Sequence, residues 1–172
     1  MLYLIDANVL ITAHNNYYPV DSVPEFWDWI LYQANAGLLK MPIETYEEIK
    51  FGGKDAQKDV LYKWATDSEV KKALVLAEEV SAPLVLSCTK NGYAPDLNDS
   101  EIQKIGRDPF LIAYAMASPN DRCVVSNEVS APNKTRHNRK IPDVCTTMGV
   151  QCCNIFKMTK ALGFRTGWKG QA

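Results

Sequence analysis

Four short apolar segments recur along the chain, at residues 2–5, 38–41, 122–126 and 150–153. Each has the length of a buried strand, and the longer segments between them have the apolar spacing of amphipathic helices. Short buried strands that alternate with helices are typical of a parallel sheet covered by helices on both faces. We therefore expect an α/β fold with three layers, in which the sheet lies in the middle.

Proline and glycine mark the ends of several predicted helices. Pro42 begins one helix, which Gly52 and Gly53 end. Two further helices are predicted at residues 54–66 and 68–80, and lysines occupy the polar face of the second.

The length and composition of the chain suit one globular domain. Its 172 residues can bury a substantial core, and 47% of them are hydrophobic and 23% are charged. The sequence contains no repeat, low-complexity tract or linker. It predicts one domain over residues 1–165, followed by a flexible, glycine-containing tail at residues 166–172.

The sequence also indicates a cellular compartment. The first residues are apolar, but the segment is short, has no basic residue before it and contains Asp6, so we expect no signal peptide. No segment approaches the roughly 20 apolar residues of a membrane span. The five cysteines are odd in number and none has C-x-x-C spacing, which favours reduced, buried thiols. These features predict a cytoplasmic protein that makes no membrane contact.

Positive charge is concentrated in the C-terminal part of the sequence. Residues 129–172 contain eight Lys or Arg and one acid, a net +7, whereas the rest has eleven basic and nineteen acidic residues, a net −8. This asymmetry indicates an anionic partner that approaches one side of the protein. A chance asymmetry of the surface is the alternative.

Acidic residues follow the predicted strands or lie in the helices after them. The carboxyl ends of parallel strands meet at one edge of a sheet, so these acids should gather there. Local roles are the alternative, because an aspartate at a helix start can act as a cap and a helical glutamate can be solvated. A buried charge at the end of an apolar strand has no such local role. In chain order the acids are Asp6, Glu47, Glu48, Asp108, Glu128 and Asp143.

A divalent cation would make this gathering of acids favourable. Two unit charges ~4 Å apart repel by about 4 kcal/mol at an effective dielectric near 20. Oxygen ligands without His or Cys favour Mg²⁺ or Mn²⁺ over zinc. Such an ion can activate water for attack on a phosphodiester. The residues therefore predict metal-dependent chemistry on phosphates.

Five motifs carry a resemblance to a known family. They are Leu-Ile-Asp-Ala-Asn-Val-Leu-Ile, Met-Pro-Ile-Glu-Thr-Tyr-Glu-Glu-Ile, Asp-Pro-Phe-Leu-Ile-Ala-Tyr-Ala, Val-Val-Ser-Asn-Glu-Val-Ser-Ala-Pro and Lys-Ile-Pro-Asp-Val-Cys. In their order and spacing they resemble the PIN-domain nucleases, and among these a bacterial, VapC-related, toxin-like subfamily. The resemblance extends over nearly the whole chain.

The resemblance implies a PIN-like α/β/α fold with four or five parallel strands, and Mg²⁺- or Mn²⁺-dependent cleavage of RNA. Asp6, Glu48 and Asp108 match the family's catalytic metal ligands. Glu47 is the alternative to Glu48, because a helix turns about 100° per residue and one of the two can face the site. Glu128 stands where many members have an aspartate; as a fourth catalytic acid it could bind the metal through its longer side chain or through water, and Asp143 could substitute for it.

Partners follow from the same resemblance. It implies an RNA substrate, an inhibiting antitoxin protein and a homodimer. The basic residues between Glu128 and Asp143 would lie beside the site and could bind RNA phosphates. They are Lys134, Arg136, Arg139 and Lys140.

Two other functions compete with the nuclease. One is a catalytically inactive PIN-like scaffold that binds RNA or protein, which the unusual Glu128 would explain. The other is a phosphotransfer or receiver domain that is phosphorylated on Asp6. Haloacid-dehalogenase chemistry is disfavoured, because it needs a second aspartate where Asn8 stands.

Overall fold

A parallel sheet of four strands forms the centre of the computed structural model, which describes residues 1–50 and 59–171. The spatial order is β2-β1-β3-β4, so the first strand lies inside the sheet. All neighbouring strands are parallel. The strands are β1 (Leu2–Ile5), β2 (Leu39–Lys40), β3 (Arg122–Val125) and β4 (Gln151–Cys153).

Ten α-helices connect and cover these strands within the described residues. The α/β class predicted from the sequence is confirmed, and the arrangement is consistent with three α/β/α layers. None of the described helices is both long enough and apolar enough to cross a membrane. The helices are α1 (Ala7–Thr12), α2 (Pro24–Asn35), α3 (Ile43–Lys50), α4 (Val60–Thr66), α5 (Ser68–Leu74), α6 (Ala82–Ser87), α7 (Asp99–Ile105), α8 (Asp108–Met116), α9 (Ile141–Thr147) and α10 (Ile155–Ala161).

Buried apolar side chains cover both faces of the sheet. Successive residues of a strand point to opposite faces, and β1 shows this with Leu4 and Ile5. Leu4 packs in a cluster that includes Leu111 of α8, whereas Ile5 packs in a second cluster that includes Trp27 of α2. The two clusters show that helices pack on both faces of the sheet at β1. The carboxyl end of β1 lies at the edge of the sheet.

The predicted helices at 54–66 and 68–80 differ from the observed ones. Residues 54–58 of the first lie outside the described residues, and α4 covers its second half. The second prediction is wrong after Leu74, where α5 ends. Val75 instead forms a parallel bridge with Met41, next to β2. Pairing with a distant segment therefore replaces the last turns of the predicted helix.

The last described residues, which belong to the flexible tail predicted for residues 166–172, contact α2. The amide of Gly167 donates to Oε1 of Glu25 over 2.6 Å. The indole of Trp168 donates to the carbonyl of the same glutamate over 3.1 Å. These contacts join the described part of the tail to α2, and its flexibility stays a prediction; Ala172 lies outside the described residues.

Candidate active site

Asp6 lies where the strand order reverses, between the carboxyl ends of β1 and β3, which is the position where open parallel sheets form their sites. Its amide donates to the carbonyl of Val125 over 3.1 Å. Its side chain is buried, with 3% of the residue exposed. Within the described residues, the Oδ2 atom of Asp6 has no hydrogen-bond partner. A buried carboxylate oxygen without a partner is unfavourable and calls for an explanation.

Asp108 is the first residue of α8, and Arg107 takes the cap position before it. The side chain of Asp108 therefore does not act as the cap that the sequence also allowed. The hydroxyl of Tyr93 donates to Oδ2 of Asp108 over 3.3 Å. Tyr93 lies in a π-helical turn, Cys88–Tyr93, that we did not predict, so this partner of Asp108 was missed.

Glu48 reaches the site from α3. Its helix is joined to the end of β1 by Thr45, whose hydroxyl lies 3.4 Å from the carbonyl oxygen of Ile5. Residues three apart share a helix face, so Glu48 follows Thr45 towards the sheet edge. Burial raises the pKa of Glu48, and the guanidinium of Arg107 lowers it in part. Glu48 is thus the glutamate of α3 whose charge acts on Asp6.

Burial and neighbouring negative charge raise the pKa values of both aspartates. The pKa of Asp6 rises from 3.8 to about 7, first through burial and then through the charges of Glu48 and Glu128. The pKa of Asp108 rises to about 8, first through burial and then through the charges of Asp6 and Glu128. The four acids therefore form one electrostatically coupled cluster, in which the two aspartates retain protons near neutral pH or attract a cation.

Glu128 differs from the other three acids because both of its carboxylate oxygens have partners. Lys140 Nζ donates to Oε1 over 2.9 Å. The amide of Ile141, at the start of α9, donates to Oε2 over 2.8 Å. The bonded carboxylate of Glu128 raises the pKa of Lys140, which keeps the ammonium charged. The protein itself neutralises Glu128.

The acids of the cluster are coupled, but they do not converge on one point. Across residues 1–50 and 59–171, no three His, Cys, Asp or Glu side chains are close enough together to hold a metal ion. The described residues therefore do not by themselves form a metal site, and metal binding is a proposal.

Asp143, predicted as a further metal ligand, is not part of the cluster. Its carboxylate accepts hydrogen bonds from the hydroxyl of Ser130 and from the amide of Ala131. These bonds, the one from Ser130 first, lower the pKa of Asp143. Asp143 closes the loop that follows β3, and this structural task corrects the prediction.

A cleft of about 430 Å³ opens beside Asp108 and Glu128. Three of the four predicted RNA-binding residues line it: Lys134, Arg139 and Lys140. Lys104 of α7 lines it as well, and sequence reasoning missed this residue. Its position one turn before Asp108, across the short junction between α7 and α8, is the signal that could have identified it.

The two arginines among the predicted RNA-binding residues, Arg136 and Arg139, are each held by several hydrogen bonds. Arg136 donates to Glu101 Oε1 and to Asp96 Oδ1, each over 2.7 Å. Its partners, Glu101 first, raise the pKa of Arg136. Arg139 donates to the hydroxyl of Thr147 over 2.7 Å and also binds two backbone carbonyls. Both guanidinium groups hold the loop after β3 against neighbouring helices. Arg136 has this structural role instead of the predicted one, whereas Arg139 also lines the cleft.

The fold and the site together define a class: a parallel α/β protein with coupled carboxylates at the carboxyl edge of its sheet. A family model matches residues 3–166, and its description is "Domain of unknown function (DUF4411)". The match covers most of the chain, so the protein belongs to this family. No curated protein and no solved structure matches it.

Proposed function

We propose that the protein is a metal-dependent endoribonuclease of the PIN type, which hydrolyses RNA phosphodiester bonds. One observation carries the proposal: Asp6 and Asp108 come from distant parts of the sequence and lie at the same sheet edge, Asp6 buried and Asp108 half-buried, and the charge of Asp6 raises the pKa of Asp108. Buried carboxyl groups with such perturbed pKa values cluster at functional sites. The order and spacing of the five sequence motifs support the same class of nuclease.

Mg²⁺ or Mn²⁺ fits the chemistry of these side chains. The donors are carboxylate oxygens, which hard divalent cations prefer. The buried Oδ2 of Asp6 has no partner in the described part of the chain, and a cation would provide one. It would also offset the repulsion among the acids. Asp6, Glu48 and Asp108 are the residues that would hold the ion, which would have to draw their side chains closer together than they lie in the described structure.

A bound ion would supply a water of lowered pKa and would neutralise charge that develops on the phosphate. The remaining tasks fall to the protein. The hydroxyl of Tyr93 donates to Asp108 and orients its carboxylate. The ammonium groups of Lys104 and Lys134 line the adjoining cleft, where they bind phosphates of the RNA strand.

We propose further that this nuclease is a cytoplasmic toxin that an antitoxin protein holds inactive, and that it forms a homodimer. The support is the resemblance to VapC-related proteins. Co-expression with the product of the neighbouring gene tests the pairing. A small protein that co-purifies and blocks cleavage is the expected result, and full activity of the co-purified preparation would contradict it.

The nuclease itself is tested with a labelled single-stranded RNA and the purified protein in Mn²⁺, in Mg²⁺ or in EDTA. We expect products with either metal and none with EDTA. Asp6→Asn and Asp108→Asn should each lower the rate by about a hundredfold or more. Variants that cleave as fast as the wild type would show that the activity comes from a contaminant.

The inactive PIN-like scaffold is the second candidate. Two observations favour it: the acids do not converge around one point in the described residues, and Glu128 is already neutralised by Lys140. A scaffold should bind RNA without forming products in either metal. Metal-dependent products that disappear in Asp6→Asn would exclude it.

A further inference from the structure

The acidic cluster has two parts that differ in how their charge is compensated. Glu128 is held at both oxygens, by Lys140 Nζ at 2.9 Å and by the amide of Ile141 at 2.8 Å. Asp6, in contrast, has an oxygen that no described residue contacts through a hydrogen bond. Within the described residues, Glu128 thus has the Lys140 ammonium as a cationic partner, whereas Oδ2 of Asp6 has no hydrogen-bond partner.

The clamp on Glu128 is short and local. Lys140 and Ile141 are adjacent in sequence, so one turn of backbone presents an ammonium to one oxygen and an amide to the other. The side chains of Lys140 and Glu128 are 40% and 30% exposed, so the pair faces the cleft. Asp108 lines the same cleft, and its charge also acts on the ammonium. Lys140 therefore supplies a fixed positive charge to Glu128 within the cleft that Asp108 also lines.

We infer that the Lys140 ammonium takes the place of a second divalent ion, so that the acidic cluster binds a single ion. This inference rests on the proposed function and specifies its site. A second ion on Glu128 would have to displace two hydrogen bonds. It would also lie next to a lysine of the same charge sign, and like charges at that range repel.

The number of bound ions tests the inference. Mn²⁺ binding to the full-length protein is measured by isothermal titration calorimetry and by equilibrium dialysis. We expect one ion per wild-type chain. Lys140→Gln should bind two, because Glu128 loses its fixed cation and becomes available as a ligand. Lys134→Gln is the matched control, because it removes a lysine from the same cleft, and it should still bind one.

A second measurement needs no metal. In EDTA, Lys140→Gln should lower the melting temperature, because it leaves the Glu128 charge next to Asp108 without compensation. The double variant Lys140→Gln/Glu128→Gln should recover most of the lost melting temperature. Additive effects of the two substitutions would mean that the pair is not coupled, and would overturn the inference.

The outcomes separate the inference from the proposed function. Two ions in the wild type, or one ion in both the wild type and Lys140→Gln, would overturn the inference and leave the nuclease proposal intact. A wild type that binds no Mn²⁺ would overturn the metal-dependent nuclease and the inference with it. One ion that becomes two in Lys140→Gln, together with coupling in EDTA, supports both.

Discussion

The backbone amide of Asp6 donates a hydrogen bond of 3.1 Å to the carbonyl oxygen of Val125. This bond continues the pairing of β1 with β3 by one residue and fixes the acid between the two strand ends. The main chain therefore sets the position of Asp6, and a substitution there changes charge without moving the backbone. The side chains around it can be tested one at a time for this reason.

The two adjacent glutamates of α3 provide a matched pair. Glu48→Gln should lower Mn²⁺-dependent cleavage by about tenfold to a hundredfold, because it removes a charge that acts on Asp6. Glu47→Gln should cleave RNA at the wild-type rate. Initial rates on the same labelled RNA check both. The reverse ranking would assign the ligand role to Glu47.

The stability of the metal-free protein should depend on pH in a particular direction. The folded pKa values of Asp6 and Asp108, about 7 and about 8, lie above the ordinary 3.8, so the folded state binds more protons than the unfolded state between these values. Their stabilising contribution is complete below about pH 4 and is lost as the pH rises to about 8. Thermal melts in EDTA from pH 4 to 9 measure this decline.

Asp6→Asn should flatten that decline and raise the free energy of unfolding at pH 8 by on the order of 2 kcal/mol, because it relieves repulsion among buried carboxylates. Asp21→Asn, at an exposed position, is the control and should leave the pH dependence unchanged. A large loss of stability in Asp6→Asn would assign the residue a structural role.

Two basic residues of the loop after β3 should respond differently to substitution. Arg136→Ala should lower the melting temperature by several degrees, because Glu101 and Asp96 lose their shared partner. Lys134→Ala should keep the wild-type melting temperature but weaken RNA binding and reduce the salt dependence of log Kd by about one. Melting curves and RNA titrations at several salt concentrations separate the two roles.

Asp143→Ala should keep the wild-type cleavage rate and lose about 1 kcal/mol of stability, since the hydroxyl of Ser130 and the amide of Ala131 lose their acceptor. Cleavage rates and urea unfolding of the same preparation test this. Loss of cleavage without loss of stability would return Asp143 to the set of metal ligands.

The strands could be predicted from the sequence because each is a short apolar run with helices on both sides. The end of α5 could not, since the amide of Leu76 donates to the carbonyl of Met41 over 2.8 Å, and nothing local in the sequence announces this distant partner. Helix propensity favours continuing past Leu74. The parallel pairing beside β2 instead provides hydrogen bonds for the backbone groups that a longer α5 would have bonded within the helix.

The candidate site divides along similar lines. Asp6, Asp108 and a glutamate of α3 could be grouped from the sequence, because topology brings the carboxyl ends of parallel strands to one edge; the family resemblance then favoured Glu48 over Glu47. The roles of the loop residues depend on backbone conformation that composition does not reveal. Arg136 adopts a φ of 55°, unusual for a residue with a side chain, and this bend helps direct its guanidinium towards Glu101.

The central place of β1 in the sheet has a consequence for how the protein forms during synthesis. Leu2 pairs with Arg122, so the first strand to leave the ribosome lacks one neighbour until β3 follows it. At about 5–20 residues per second, this wait lasts roughly 6 to 24 s. The apolar segment 2–5 stays open to unwanted association throughout, so slower expression at low temperature, with a chaperone present, should increase the yield of folded protein.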